Sequence, residues 1–264
     1  MTHFSFMIIE PPSALGVEIA DLFPILKDCG YEGVELNLRP ELIDRLADIE
    51  TIAARNNLVI PSFLTGAVYS KEVCLSSPDP AARRAAVARL IDYVPIAQRF
   101  DAILVVGLLQ GFRSDEPDPS AANERIAACL AEVGAAAAAA DVDIVVEPIN
   151  HLQVGFNNSV GEVRDLIAAT GSTRLHPMVD TIHMNVEETS LVQPIRDCGA
   201  SLRHVHLCES NGAILGTGHI DFASVLTALD EVGFDDFASV KVYRKAEILD
   251  AARSSMAHLR AAGV

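Results

Sequence analysis

Four ionisable side chains interrupt runs of the sequence that are otherwise apolar: Glu147, Asp180, His206 and Lys241. Glu147 closes the run in DIVVEPIN, and Asp180 closes LHPMVD with His183 three residues on. In LRHVHLCES, His204 and His206 stand two apart, so an extended chain turns both imidazoles to one face, and Glu209 follows in the loop. Lys241 lies between Val240 and Val242 in SVKVYR. A charge in such a run is costly to bury unless it is paired or bound to a metal. Glu147, Asp180 and His206 together make a mixed oxygen and nitrogen donor set, suited to Mn²⁺, Zn²⁺, Co²⁺ or Mg²⁺ with positions left open. Through an open position the ion would polarise a ketone or hydroxyl oxygen of a substrate.

Each residue also has a plainer reading. Lys241 could close an ion pair with Glu147 that serves only the fold, and His206 could be a hydrogen-bonded core histidine. Asp180 and His183 could form a polar turn, and His204, two residues deeper than His206, reads as structural. His151, directly after EPIN, suits a pocket or the surface, and Glu209 suits a substrate contact or its own solvated loop.

The elements that must position these groups are short β-branched runs at 4–9, 33–38, 58–64, 102–107, 143–148, 175–180, 202–208 and 238–243. Segments with apolar residues at three- and four-residue spacing separate them, at 17–29, 40–56, 81–98, 119–140, 160–169, 187–197, 222–232 and 247–262. Ser159 with Glu162 fits a capping box, and Asp221 suits an N-cap. Strict alternation over the whole chain, with strands apolar on both faces, predicts a single-domain α/β (β/α)₈ barrel spanning 1–264. An open doubly wound sheet is the alternative, but Gly216-Thr217-Gly218 lacks the third glycine of its fingerprint. In a barrel the long connections 65–80 and 108–120 fall on the C-terminal face, as lids, partner contacts or plain surface loops.

Composition excludes several classes of function. The chain has 264 residues and a net charge of −16, which repels phosphate backbones and anionic membranes. No nucleic-acid or membrane role is expected. Five cysteines are scattered without a CxxC pair, and the N-terminus lacks the basic and apolar regions of a signal peptide. The apolar run 103–109 is far below the roughly 20 residues that cross a bilayer. A soluble, reduced, cytoplasmic protein is the expectation, and its long loops are compatible with a homo-oligomer.

The strings EPIN at 147–150, VDTIHMNVEE at 179–188, HVHLCES at 204–210 and GTGHIDF at 216–222 resemble the xylose isomerase-like TIM barrels. Within them the likeness is to the sugar isomerase and epimerase group that includes D-tagatose 3-epimerase and hydroxypyruvate isomerase. The resemblance implies that Glu147 is a metal-binding general base and that Asp180 and His206 are metal ligands. It implies a substrate contact for His183 and a pocket position for Glu35; Glu209 and His151 complete the candidate substrate-binding residues. Two departures stand out. Lys241 occupies the place of the group's second Glu, and Gly212 that of a loop Arg six residues after His206. Glu247 is a distant substitute for the missing carboxylate.

The expected activity is therefore isomerisation or epimerisation of a small non-phosphorylated keto sugar, with a divalent metal and with Glu147 and Lys241 as catalytic groups. Two alternatives remain. One is a metal-dependent lyase (decarboxylase, dehydratase or β-eliminase) acting on a 3-keto sugar or keto acid, with Lys241 in place of the second Glu. The other is a non-catalytic binding subunit. A DNA-cleaving member of the same barrel class would need more ligands and a basic face.

Overall fold

The computed structural model describes residues 2–244 and 247–263. Its strands are β1 His3–Ile8, β2 Gly33–Asn37, β3 Ser62–Leu64, β4 Ile103–Val106, β5 Ile144–Val146, β6 Leu175–Asp180, β7 His204–Cys208 and β8 Phe237–Lys241. All pair in parallel, in chain order, and β8 closes the barrel against β1 with Phe4 opposite Ala238 and Phe6 opposite Val240. Around them lie α1 Ile19–Cys29, α2 Pro40–Ile43, α3 Leu46–Arg55, α4 Pro80–Phe100 and α5 Pro119–Ala140. The ring continues with α6 Val160–Thr170, α7 Thr181–Glu187, α8 Gln193–Cys198, α9 Phe222–Glu231 and α10 Ile248–Ala261. This is the (β/α)₈ barrel expected from the alternation.

Local chemistry explains where the elements start and where they depart from expectation. Ser159 Oγ accepts from Glu162 N while Glu162 Oε2 accepts from Ser159 N, the capping box that opens α6. Asp221 Oδ1 accepts from Ser224 N and caps α9. The strand expected over 58–64 shortens to β3. Pro61 has no N–H to give a ladder, so only a lone bridge, Gly33 to Val59, forms ahead of it. The helix expected over 187–197 shortens to α8, and α7 forms ahead of it from residues 181–187, most of which were not read as helix. Between them Ser190 Oγ accepts from the N–H groups of Val192 and Gln193, and Pro194 enters the first turn of α8, which together restart the chain. The segment 40–56 divides into α2 and α3. No helix among the described residues is long and apolar enough to cross a membrane.

Alternation along the strands builds two different cores. Val34, Leu36, Ile144, Val146, Val179, Val205, Leu207 and Val240 point outward and pack with helix residues such as Leu22, Leu90, Leu130 and Leu229. Each such side chain contributes about 1.5–3 kcal/mol on burial. The inward positions carry a small apolar layer of Val105, Val145 and Met178. They also carry buried polar groups: Ser5, Glu35, His204, His206 and Ser239. Glu147, Asp180, His206 and Lys241 each lie two residues beyond an inward residue (Val145, Met178, His204 and Ser239). Period two therefore sends all four inward at the C-terminal mouth. Register sets Asp180 opposite His206, while Lys241 stands one inward position further along, opposite Cys208.

Candidate active site

Glu147 follows β5 directly, its N–H bonded to Val106 O, and its carboxylate reaches the barrel axis. Asp180 ends β6 and also caps α7: Oδ1 accepts from Ile182 N at 3.0 Å, which leaves Oδ2 aimed inward. Lys241 Nζ donates to both carboxylates, 2.7 Å from Asp180 Oδ2 and 3.1 Å from Glu147 Oε1. His206 Nδ1 lies 3.1 Å from Glu147 Oε1 and 3.4 Å from Asp180 Oδ2. His183 Nε2 stands slightly further back, at 3.7 and 3.8 Å from the same two oxygens. Five side chains from four strand ends and one helix turn thus converge on a single point.

Hydrogen bonds fix the protons at two of these groups. Asn150 Oδ1 accepts from Leu152 N, so its amide NH₂ faces His183 Nδ1 at 2.8 Å and donates to it. Nδ1 is then the acceptor, and Nε2 carries the proton toward the carboxylates. Both nitrogens of His206 face carboxylates, because Nε2 lies 3.3 Å from Glu35. Burial opposes charge on this imidazole, but the Glu35 charge and the bonds to Asp180 and Glu147 raise its pKa well above the usual value.

Electrostatics run the same way around the cluster. Burial raises the Glu147 pKa, yet the Lys241 charge and His206 outweigh it and bring it down to about 2. Asp180 is likewise held well below the carboxylate range against its burial by Lys241 and His183. Lys241 loses solvent, but Asp180 and Glu147 raise it well above a free ammonium. Burial lowers His183, and the nearby Lys241 charge adds to that against the pull of Asp180.

Glu147, His183 and Lys241 of the cluster form one wall of a 250 Å³ cavity at the C-terminal mouth, lined also by Met7, Asn37, Leu64, Leu108, Gln153 and Tyr243. A larger cavity of 540 Å³ lies at the opposite mouth, among Pro61, Asp143, Arg203 and Asp236. There Arg203 pairs with Asp143 and Asp236. The carboxylate–imidazole–ammonium cluster makes the smaller cavity the chemical one. Gly107, immediately after β4, leaves room for it: a Cβ there would overlap Glu147 Oε2 and stand 3.1 Å from Ile149 Cδ1.

Not every predicted site residue joins this cluster. Glu35 is fully buried one layer below, its Oε1 3.2 Å from His204 Nε2 and 3.3 Å from His206 Nε2. It touches His206 rather than the cavity. Glu209 turns into its own loop, where Oε1 accepts from Ser210 N and Ile220 N and Oε2 from Gly216 N. Those N–H groups hold its pKa low against burial. His151 is exposed and pairs with Glu187 at 2.6 Å. Glu247 stands at the N-cap of α10, exposed. Gly212 has φ +71°, and a Cβ there would strike the Tyr243 ring; its carbonyl accepts from Tyr243 N and Arg244 N. Asn150, Asn37, Gln153 and Tyr243 were not among the sequence-read candidates; only Asn150 carries a signal, being part of EPIN itself.

Two groups of described residues have the donors for a metal ion: Glu147, Asp180 and His183 at the mouth, and Glu35, His204 and His206 beneath. The mouth group fits a divalent ion in donor type, with two carboxylate oxygens and an imidazole. The same two oxygens already bind the Lys241 ammonium.

A closed parallel barrel ringed by helices, with its polar cluster at the C-terminal mouth, is a TIM barrel. Residues 23–262 match the xylose isomerase-like TIM barrel family, and the chain belongs to it. It is 32% identical over 179 residues to an L-ribulose 3-epimerase of Mesorhizobium japonicum, covering 67% of this chain and 60% of the relative. To a D-psicose 3-epimerase of Ruminiclostridium cellulolyticum it is 31% identical over 170 residues, covering 63% and 58%. The matched part thus spans less than two thirds of either relative. Its fold is similar to that of a D-psicose 3-epimerase from Clostridium cellulolyticum, with a TM-score of 0.84 at 22% identity over 99% of this chain and 98% of that one. It is similar also to a 3-keto-D-glucoside 4-epimerase from E. coli, with a TM-score of 0.86 at 18% identity over 99% and 100%.

Proposed function

We propose that this chain is an enzyme of the isomerase and epimerase class that removes a proton beside the carbonyl of a small, non-phosphorylated keto sugar. The observation that carries this reading is Glu147: a carboxylate held ionised at the wall of a ketose-sized cavity, with cationic and N–H donors beside it. Relatives named as L-ribulose and D-psicose 3-epimerases support the substrate class.

Glu147 takes the proton from carbon. Oxygen atoms of the substrate find donors in the Lys241 ammonium and in His183 Nε2–H, so the negative charge that develops on the enediolate meets groups already in place. Asn150 holds His183 in the tautomer that donates. Apolar walls from Met7, Leu64 and Leu108 exclude water from the carbanion face. With the Lys241 ammonium withdrawn and an imidazole nitrogen free of its proton, Glu147, Asp180, His206 and His183 would hold a divalent ion of the Mn²⁺, Mg²⁺, Co²⁺ or Zn²⁺ type, which would supply Lewis-acid polarisation of the carbonyl. The scattered unpaired cysteines support a reducing, cytoplasmic setting.

A lyase reading is favoured by one observation, the 3.1 Å contact between Lys241 Nζ and Glu147 Oε1. Base and acid then stand on one side of the substrate, an arrangement suited to elimination from a 3-keto sugar or keto acid.

The test is solvent exchange. Incubated in D₂O with L-ribulose, D-psicose, a 3-keto glycoside and a keto acid, the wild type is expected to exchange the α-hydrogen of at least one and E147Q of none. Exchange with no phosphate on the substrate supports the reading. Silence on the whole panel, or equal exchange by E147Q, overturns it and leaves a binding role.

A further inference from the structure

The cation at the mouth of this barrel is part of the chain. Lys241 is the last residue of β8, only 14% of its side chain is exposed, and Nζ bonds both carboxylates of the cluster. Glu147 Oε1 and Asp180 Oδ2 are also the oxygens that His206 Nδ1 and His183 Nε2 face. The imidazole nitrogens of the mouth thus face the same two oxygens that Nζ already bonds. Asp180 has no second oxygen to offer, because Oδ1 is committed to Ile182 N.

A divalent ion binds carboxylate oxygen at about 2.0–2.2 Å. Held at that distance from both oxygens, on the side their ligand set faces, it would overlap an ammonium 2.7 and 3.1 Å from the same two atoms. Charge gives the same answer. Glu147 and Asp180 carry −2 against +1 on Lys241, and the buried His206 and Glu35 beneath them cancel one another, a sum of −1. Adding a divalent ion beside the ammonium would bring the sum to +1 in a buried cluster, whereas Lys241→Glu with one ion gives −3 + 2 = −1, the charge of the unsubstituted ion-free site.

We propose that Lys241 is the resident cation of this site: its ammonium holds the seat between Glu147 and Asp180 that a divalent ion would need, so ammonium and ion exclude one another. The ion-free site is then already assembled, with both carboxylates ionised, aimed and paired. Lys241 is the group that offers its proton to substrate oxygen, and an ion enters only when the side chain swings out. This inference rests on the functional reading for its catalytic meaning, while its measurement, metal affinity, is independent of turnover.

The experiment compares wild type, K241Q and K241E as full chains, dialysed against EDTA and titrated with Mn²⁺. Bound metal is read by elemental analysis after desalting and by the shift of the melting temperature. K241E is expected to retain about one Mn²⁺ per chain and to gain melting temperature on Mn²⁺ addition. Wild type is expected to retain none through desalting and to bind at least roughly tenfold more weakly than K241Q, since the ion must first displace a buried, paired ammonium. K241Q keeps the comparison decisive should K241E fail to fold, because it removes the cation without adding charge. One tightly held ion in the wild type, or equal affinity in wild type and K241Q, overturns the proposal. A wild type without α-proton exchange but with the expected affinity order sinks the functional reading alone; an active wild type with a tight ion sinks this inference alone.

Discussion

Gly107 provides a test of Glu147 that leaves every chemical group of the site in place. Its φ of −116° is not left-handed, while its ψ of −94° lies outside the α and β regions, so the thermal melt must accompany the rate. The added Cβ would overlap Glu147 Oε2 and press on Ile149 Cδ1 at 3.1 Å. Ordinary contact requires the carboxylate to retreat by roughly 1 Å, and a misplacement of that size costs about 10²-fold in rate. That loss is about 2.7 kcal/mol of transition-state stabilisation. Because Glu147 Oε1 is tethered to Lys241 and His206, the carboxylate turns away from the cavity rather than out of the barrel, and the fold survives. Initial rates of deuterium uptake into L-ribulose by NMR, with thermal melts alongside, measure both effects. We expect kcat/KM of G107A to fall about 10²-fold with kcat carrying most of the loss. A rate within threefold of wild type in a folded protein would refute Glu147 as the base at this position.

E147Q removes the base but little volume, so turnover should fall by about 10²–10⁴-fold while a circular dichroism melt shows a folded chain; retained activity would count against the assignment. Glu35→Gln takes the carboxylate from two buried imidazoles and should destabilise the protein by about 3–5 kcal/mol in urea unfolding; a change below about 1 kcal/mol would mean that Glu35 is not their partner. Acid should unfold the protein through the mouth cluster. Glu147 has its pKa depressed to about 2, so its contribution is complete above the ordinary value of 4.5 and is lost as pH falls toward 2. His206, raised above 6.5, acts oppositely: its contribution is complete below 6.5 and fades as pH rises through its folded value. Melting temperatures should therefore drop steeply between pH 4.5 and 2, less so in E147Q, and a flat acid limb in the wild type would contradict the pairing.

The fold was legible because two periodicities carry it. Apolar runs such as Ile144–Val146 and Ile103–Val106 have no solvent face and so belong to a covered parallel sheet, and the segments between them keep helical spacing. Charges at the ends of those runs marked the mouth cluster, since period two leaves them no direction but inward. Loop residues obey no such rule. Glu209 was captured by the N–H groups of Gly216 and Ile220, 7 and 11 residues on in the chain, and His151 was drawn to Glu187 on α7. The first is set by how one irregular loop closes on itself and the second by how two separate segments meet, neither of which a periodic pattern encodes. Glu35 is the intermediate case: its inward direction follows from parity, but its contacts with His204 and His206 are made across the barrel, between strands that do not pair. Lys241 could be foreseen as a partner of Glu147, while its second bond to Asp180 depends on that residue spending Oδ1 as a helix cap.

The 3.1 Å between Lys241 Nζ and Glu147 Oε1 also constrains stereochemistry. A proton donor and acceptor each work at about 3–3.5 Å from the reacting carbon, so groups that serve opposite faces must stand about 6–7 Å apart. Two atoms in hydrogen-bond contact serve the same face. With Lys241 seated, the proton that Glu147 removes returns from the side it left, which moves it to a neighbouring carbon or accompanies loss of a leaving group. Inversion at one carbon requires Lys241 to release Glu147 and cross to the other face, or water to supply that proton. The products distinguish these courses. In D₂O, isomerisation with one deuterium delivered to the original face would match the seated lysine. A C3 epimer carrying solvent deuterium on the inverted carbon would instead show that the Lys241–Glu147 contact opens in every turnover.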